Sequence, residues 1–193
     1  MQITRNRFFD KSILLHILVL CLLVVSQKSL AAGISIVNAS TTLSQDVFYL
    51  TAQVNYKFSD ELVDALHRGI PITIAVSIEI NQSRDYVWDS TIATLEQRYQ
   101  IAYHELTEQY IVRNLNSGSQ LSFADFKVAT SVMGTIVSLP VIDKNLLVDD
   151  EKYYGNIQVQ VDVDTLPVPL RLLSYVSSGW QLSSGWYKWS LEF

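Results

Sequence analysis

Apolar and polar residues alternate one for one along three separate stretches of this chain, and that period of two restricts it to β-structure more tightly than any other feature. In residues 48–58, Phe48, Leu50, Ala52, Val54, Tyr56 and Phe58 alternate with Tyr49, Thr51, Gln53, Asn55 and Lys57. After Pro71, Ile72, Ile74, Val76, Ile78 and Ile80 alternate with Thr73, Ala75, Ser77 and Glu79. After Gly155, Ile157, Val159, Val161 and Val163 alternate with Gln158, Gln160, Asp162 and Asp164. Successive side chains of a strand point to opposite faces, so each stretch has one apolar and one wet face. That is the pattern of antiparallel sheet packed on one side, whereas parallel α/β strands are apolar on both. Further strands are expected over residues 34–42, 92–105, 109–115, 135–141 and 186–192, with a hairpin reversing at Leu106-Thr107-Glu108. Pro140 marks an edge strand or a bend, because proline has no N–H for a ladder.

Two short helices interrupt the strands. Ser59 is placed to cap Asp60-Glu61-Leu62-Val63-Asp64-Ala65-Leu66-His67-Arg68, which ends at Gly69. Acids in its first turn and His67-Arg68 in its last match the helix dipole. Ser122-Phe123-Ala124-Asp125 has the form of a capping box and leads through Phe126, Ala129, Val132 and Met133 to Gly134. Leu166-Pro167-Val168-Pro169 reads as a rigid connector. The expected fold is all-β and mainly antiparallel: a two-sheet β-sandwich with two short helices, preceded by a signal peptide.

The signal peptide is expected over residues 1–31, and a single sandwich-like domain over 32–193. Arg5, Arg7 and Lys11 form a basic start, residues 13–25 are apolar except His16, and Ser29-Leu30-Ala31 supplies the small residues of a cleavage site. An apolar run of 13 residues is shorter than the roughly 20 that span a bilayer as a helix. Cleavage is therefore expected near Ala31 or Ala32, with no integral membrane span in the mature chain. Cys21 is the one cysteine, so no disulfide forms within the chain. Leu20 before it and Leu22-Leu23 after it do not suit a lipidated cysteine. Removing Arg5, Arg7, Lys11, Lys28 and Asp10 from 14 basic and 19 acidic residues leaves 10 and 18, a net charge of −8. Nucleic acid and anionic membranes select basic surfaces, so that balance argues against both as partners.

Three blocks of sequence, residues 65–71 (Ala-Leu-His-Arg-Gly-Ile-Pro), 99–110 (Tyr-Gln-Ile-Ala-Tyr-His-Glu-Leu-Thr-Glu-Gln-Tyr) and 183–189 (Ser-Ser-Gly-Trp-Tyr-Lys-Trp), resemble an uncharacterised family of proteobacterial exported proteins, domain of unknown function 4390. The likeness covers nearly all of the mature chain. It implies a Gram-negative envelope protein with a link to envelope signalling, and a membrane sensor protein among its partners. The family has no established catalytic or binding residues, so none is carried over.

Few residues point to chemistry. The mature part holds two histidines, His67 and His104, and no cysteine, too few for a zinc site. No Gly-x-Ser-x-Gly or phosphate-cradling glycine loop occurs. Asp149-Asp150-Glu151 and the pair Asp162 and Asp164 carry clustered carboxylates, but no calcium-loop pattern surrounds them. No catalytic residue, metal or cofactor is therefore expected.

Aromatic residues crowd the C-terminus: Tyr175, Trp180, Trp186, Tyr187, Trp189 and Phe193. Tryptophan and tyrosine join a large apolar face to a polar tip, which suits interfaces. They serve either as a last strand closing the core or as an exposed platform. By phase, Tyr187, Trp189, Leu191 and Phe193 face the core, and Trp186 and Lys188 face out. Trp186, Trp180, Tyr187, His67 and Arg68 are the candidate binding residues. The reading is a non-enzymatic periplasmic or envelope accessory or binding module, in contact with an envelope protein or ligand and associated at most peripherally with the membrane. Two alternatives stand beside it. The alternating C-terminal tail also fits a small outer-membrane β-barrel, and a hydrolase could assemble dispersed catalytic residues.

Overall fold

The computed structural model describes residues 32–85 and 87–192. The expected signal peptide and Phe193 lie outside the described residues. The alternating stretches are strands and lie within two sheets. One sheet contains β1 (Gly33–Ser44), β2 (Val47–Lys57) and β7 (Thr135–Asp143), in the order β1-β2-β7. The other contains β3 (Ile72–Ser83), β4 (Ser90–His104), β5 (Gln109–Asn114), β6 (Gln120–Phe123), β8 (Lys152–Val161) and β9 (Ser183–Ser190), in the order β6-β5-β4-β3-β8-β9. Every pairing is antiparallel. The described strands thus form separate sheets of three and six rather than a closed ring, which removes the outer-membrane barrel reading.

The apolar phases form the core. Phe48, Leu50, Ala52 and Val54 of β2 are buried, as are Ile74, Ile78, Val159 and Val161 of the six-stranded sheet. Register brings these rows together: Ile74 pairs with Val161, Val76 with Val159 and Ile78 with Ile157. Each such side chain contributes roughly 1.5–3 kcal/mol by leaving water. The two sheets are also tied by a polar contact, in which the Trp189 indole donates from Nε1 to Thr41 Oγ1 at 3.3 Å. Pro140 lies on β7, an edge strand, opposite Tyr49 next to a register irregularity, where a missing donor does least harm.

The described helices number three, one more than expected: α1 (Asp60–His67), α2 (Phe126–Met133) and α3 (Val168–Ser174). Ser59 caps α1 as expected, accepting from the Leu62 N–H at 3.2 Å. The cap of α2 is Asp125, not Ser122: its carboxylate accepts from Val128 N–H at 2.8 Å. Ser122 and Phe123 belong instead to β6, paired with Ile111 and Tyr110. The expected connector at Pro167 opens α3, with Pro169 in the first turn, where a missing N–H costs no helical bond. β8 ends at Val161, and Asp162 turns its carboxylate onto the Asp164 N–H at 3.2 Å. Asp162 therefore caps a 3₁₀ turn that contains Asp164, and the two do not line a strand face.

Candidate functional site

β9 pairs with β8, setting Gln158 against Trp186, Ile157 against Tyr187, Asn156 against Lys188 and Gly155 against Trp189. Alternation then sorts the tryptophans. Trp189 is 7% exposed and belongs to the core, while Trp186, three residues earlier, is 51% exposed. Tyr187 shares the inward phase and is half-buried against the core. Trp180 is only 6% exposed, so it is a core residue and drops out of the candidate surface. His67 and Arg68 are exposed at the end of α1, which packs on β4. β3 and β8 separate β4 from β9, so the structure does not unite these two residues with Trp186.

The outer face of the six-stranded sheet around Trp186 is polar. Register aligns Trp186, Gln158, Ser77 and Glu96 in one row and Lys188, Asn156, Glu79 and Thr94 in the next. The Lys188 ammonium sits 3.3 Å from the centre of the Tyr154 ring, a cation–π contact. The Tyr154 hydroxyl donates to Asp89 Oδ2 at 2.7 Å, and Asp89 Oδ1 accepts from the Arg84 N–H at 3.1 Å. Giving up the phenolic proton would break the bond to Asp89 and set two anions together, so the Tyr154 hydroxyl is pushed up to about 12. The same bonds hold the Asp89 carboxyl below its ordinary range. This network pins the β3–β4 turn that presents Trp88, 93% exposed. Lone turn aromatics leave no periodic mark, and nothing in the sequence pattern singled Trp88 out.

His67 joins an aromatic ladder. Its Nε2 lies 2.8 Å from the Tyr110 hydroxyl, and its ring meets Tyr103 edge-on at 5.0 Å. Tyr110 then packs on Phe126, Phe126 on Phe58, and Phe58 on Tyr56. His67 therefore stitches α1 to the β4–β5 hairpin, a structural role beyond the helix-end role expected of it. His104 Nδ1 is 3.0 Å from Thr107 Oγ1 in the hairpin turn. Among the described residues, no group of three or more His, Asp or Glu side chains is placed to hold a metal ion. Nor, among them, is any helix long and apolar enough to cross a membrane.

A groove of about 750 Å³ lies beside the three-stranded sheet, between the end of β2 and α2. Val37, Asn55, Lys57, Lys127, Val128 and Val132 are among its lining residues. It was not legible in the sequence, because its two walls lie about 70 positions apart in the chain and meet only through the fold.

A family profile described as a domain of unknown function (DUF4390) matches residues 31–190. No curated protein and no solved structure matches the chain.

Proposed function

This chain belongs to the DUF4390 family, whose function is unknown, and from that premise we propose that it is an exported, non-enzymatic accessory module of the bacterial envelope. It docks on an envelope protein through the outer face of its six-stranded sheet, with Trp186 as the anchor. The observation that carries this reading is the contrast within one strand: Trp186 stays 51% exposed while Trp189 is 7% exposed. An exposed tryptophan on a regular strand keeps a large apolar area in water, and such side chains are favoured interface anchors. The amides and charges around it supply the polar contacts that a sheet-face interface needs. Export is supported by the basic, apolar and small-residue order of residues 1–31. The resemblance to exported proteins points to a membrane sensor as the class of partner.

The test is photo-crosslinking in intact cells. A photoreactive residue at Gln158, beside Trp186, should yield one discrete adduct with an envelope protein, and one at Glu151 should not. Trp186→Ala should abolish the Gln158 adduct without lowering the amount of folded protein. Absence of an adduct, or an adduct indifferent to Trp186→Ala, would refute the docking face.

A further inference from the structure

The groove beside α2 lies on the other sheet from Trp186 and has a chemistry of its own. Its origin is local. β7 accompanies β2 as far as Gln53 opposite Thr135, and the last bond between the two segments runs from Val54 N–H to the Gly134 carbonyl at 2.7 Å. Gly134 permits this approach, since a β-carbon there would lie 2.2 Å from the Val54 carbonyl oxygen. Past that bond, Asn55 to Lys57 of β2 have a helix alongside instead of a strand. A helix cannot continue the ladder, so a cleft opens between them.

Three exposed valines line this cleft. Val128 and Val132 lie one turn apart on α2. Val37 comes from β1, where the register passes from Ile36 opposite Val54 to Asn38 opposite Gln53 and leaves Val37 as the extra residue of a bulge. Two cations, Lys57 and Lys127, line the same groove. Among the described residues neither is in an ion pair. The lining also holds one carboxylate, Asp125, whose Oδ1 accepts the Val128 N–H as the cap of α2, so two positive charges stand against one negative charge in the groove. In a domain with a net charge of −8, two lysines beside an apolar cleft form a local positive site. Small-molecule clefts of about 300–1,000 Å³ are mostly apolar with a few polar groups that fix orientation, and this groove fits that description.

We infer that the groove binds the hydrocarbon chain of a long-chain fatty acid, whose carboxylate is held by Lys57 and Lys127. An added peptide strand fits less well. Backbone direction alternates along β2, so Tyr56 is the one residue past Val54 on that strand whose N–H and C=O face α2, and strand addition needs a row of such groups.

The experiment uses protein expressed from the full chain, purified from the envelope and stripped of lipid. A fluorescent polyene fatty acid is bound and then displaced with palmitate or with hexadecanol. Palmitate should displace the probe saturably, with weaker binding at high salt, and hexadecanol should bind at least about tenfold more weakly, since a hydrogen-bonded charge contact is worth about 1.5–3 kcal/mol. Lys57→Glu with Lys127→Glu should weaken palmitate about tenfold or more, by the same estimate. Val128→Trp, which fills the cleft from an exposed position, should abolish binding, and Lys152→Glu, at the exposed start of β8 on the other sheet, should leave it unchanged. No saturable displacement, equal affinity for hexadecanol, or a folded charge-reversed protein within about twofold of the parent would overturn the inference.

Discussion

Gly155→Ala is a one-carbon change that should destabilise this domain. Gly155 lies on β8 opposite Trp189, and the indole ring occupies the space a side chain at 155 would need. A β-carbon at position 155 would lie 2.1 Å from Cζ2, 2.3 Å from Cε2 and 2.5 Å from Cη2 of that ring. Carbon atoms pack at about 3.5–4.0 Å, so the ring must retreat by roughly 1.4 Å. It has little room, being buried and tethered to Thr41 across the sandwich. Overpacking of this kind costs about 1–3 kcal/mol. Alanine returns about 0.5–1 kcal/mol of backbone entropy in a strand, leaving a net loss of up to about 2.5 kcal/mol, and overlap with a buried, tethered ring places this change toward that end, at about 2 kcal/mol. The loss of the whole ring, about 3–5 kcal/mol for Trp189→Ala, sets a ceiling. Thermal melting of a domain this size should fall by about 4–8 °C. Trp189→Leu should be costly alone yet suppress the Gly155→Ala effect, because leucine carries no atoms where the six-membered ring lies. The double-mutant cycle should show a coupling of about 1–2 kcal/mol. If Gly155→Ala melts with the parent protein, or if the two changes simply add, the indole is not seated on Gly155.

Ile78→Asp buries a carboxylate between Ile157 and Leu95 and should cost several kcal/mol, while Glu79→Lys, on the outer face one residue away, should cost under about 0.5 kcal/mol; equal melting temperatures would show the strand phase to be wrong. Asp89 has a depressed pKa, so its contribution to the β3–β4 turn is present above about pH 4 and is lost as pH falls through the lower folded value. The Trp88 indole resonance should therefore hold steady from pH 7 to 5 and shift only below about 4, and Asp89→Asn should remove that transition. Tyr154 is raised, so its contribution is complete below about pH 10 and is lost as pH rises toward about 12. A late-titrating tyrosine absorbance that moves earlier in Asp89→Asn is the check. Terminal sequencing of the exported protein should begin at Ala32 or Gly33, and recovery of intact Met1 from the envelope would make residues 1–31 an anchor.

What the sequence reveals here is whatever repeats with the period of a strand or sits beside its own cap. The core of β2, β3 and β8 follows from alternation alone, and Ser59 marks α1 because a cap and its helix are neighbours in the chain. The same phase rule places Trp186 outside and Trp189 inside. It fails for Trp180, which lies in an irregular segment before β9 where no period exists to assign a face. The capping-box signature misplaces the start of α2. Ser122 and Asp125 are both capping residues, and the choice between them is made by β5, which recruits residues 120–123 as an edge strand and leaves Asp125 to begin the helix. The groove depends on that choice. Had the helix begun after Ser122, it would start three residues earlier, and Asp125, at the third helical position of a capping box, would turn back to the Ser122 N–H. With Asp125 as the cap, its charge is directed at the Val128 N–H. With two lysines against that one carboxylate, the groove beside the end of β2 is net positive.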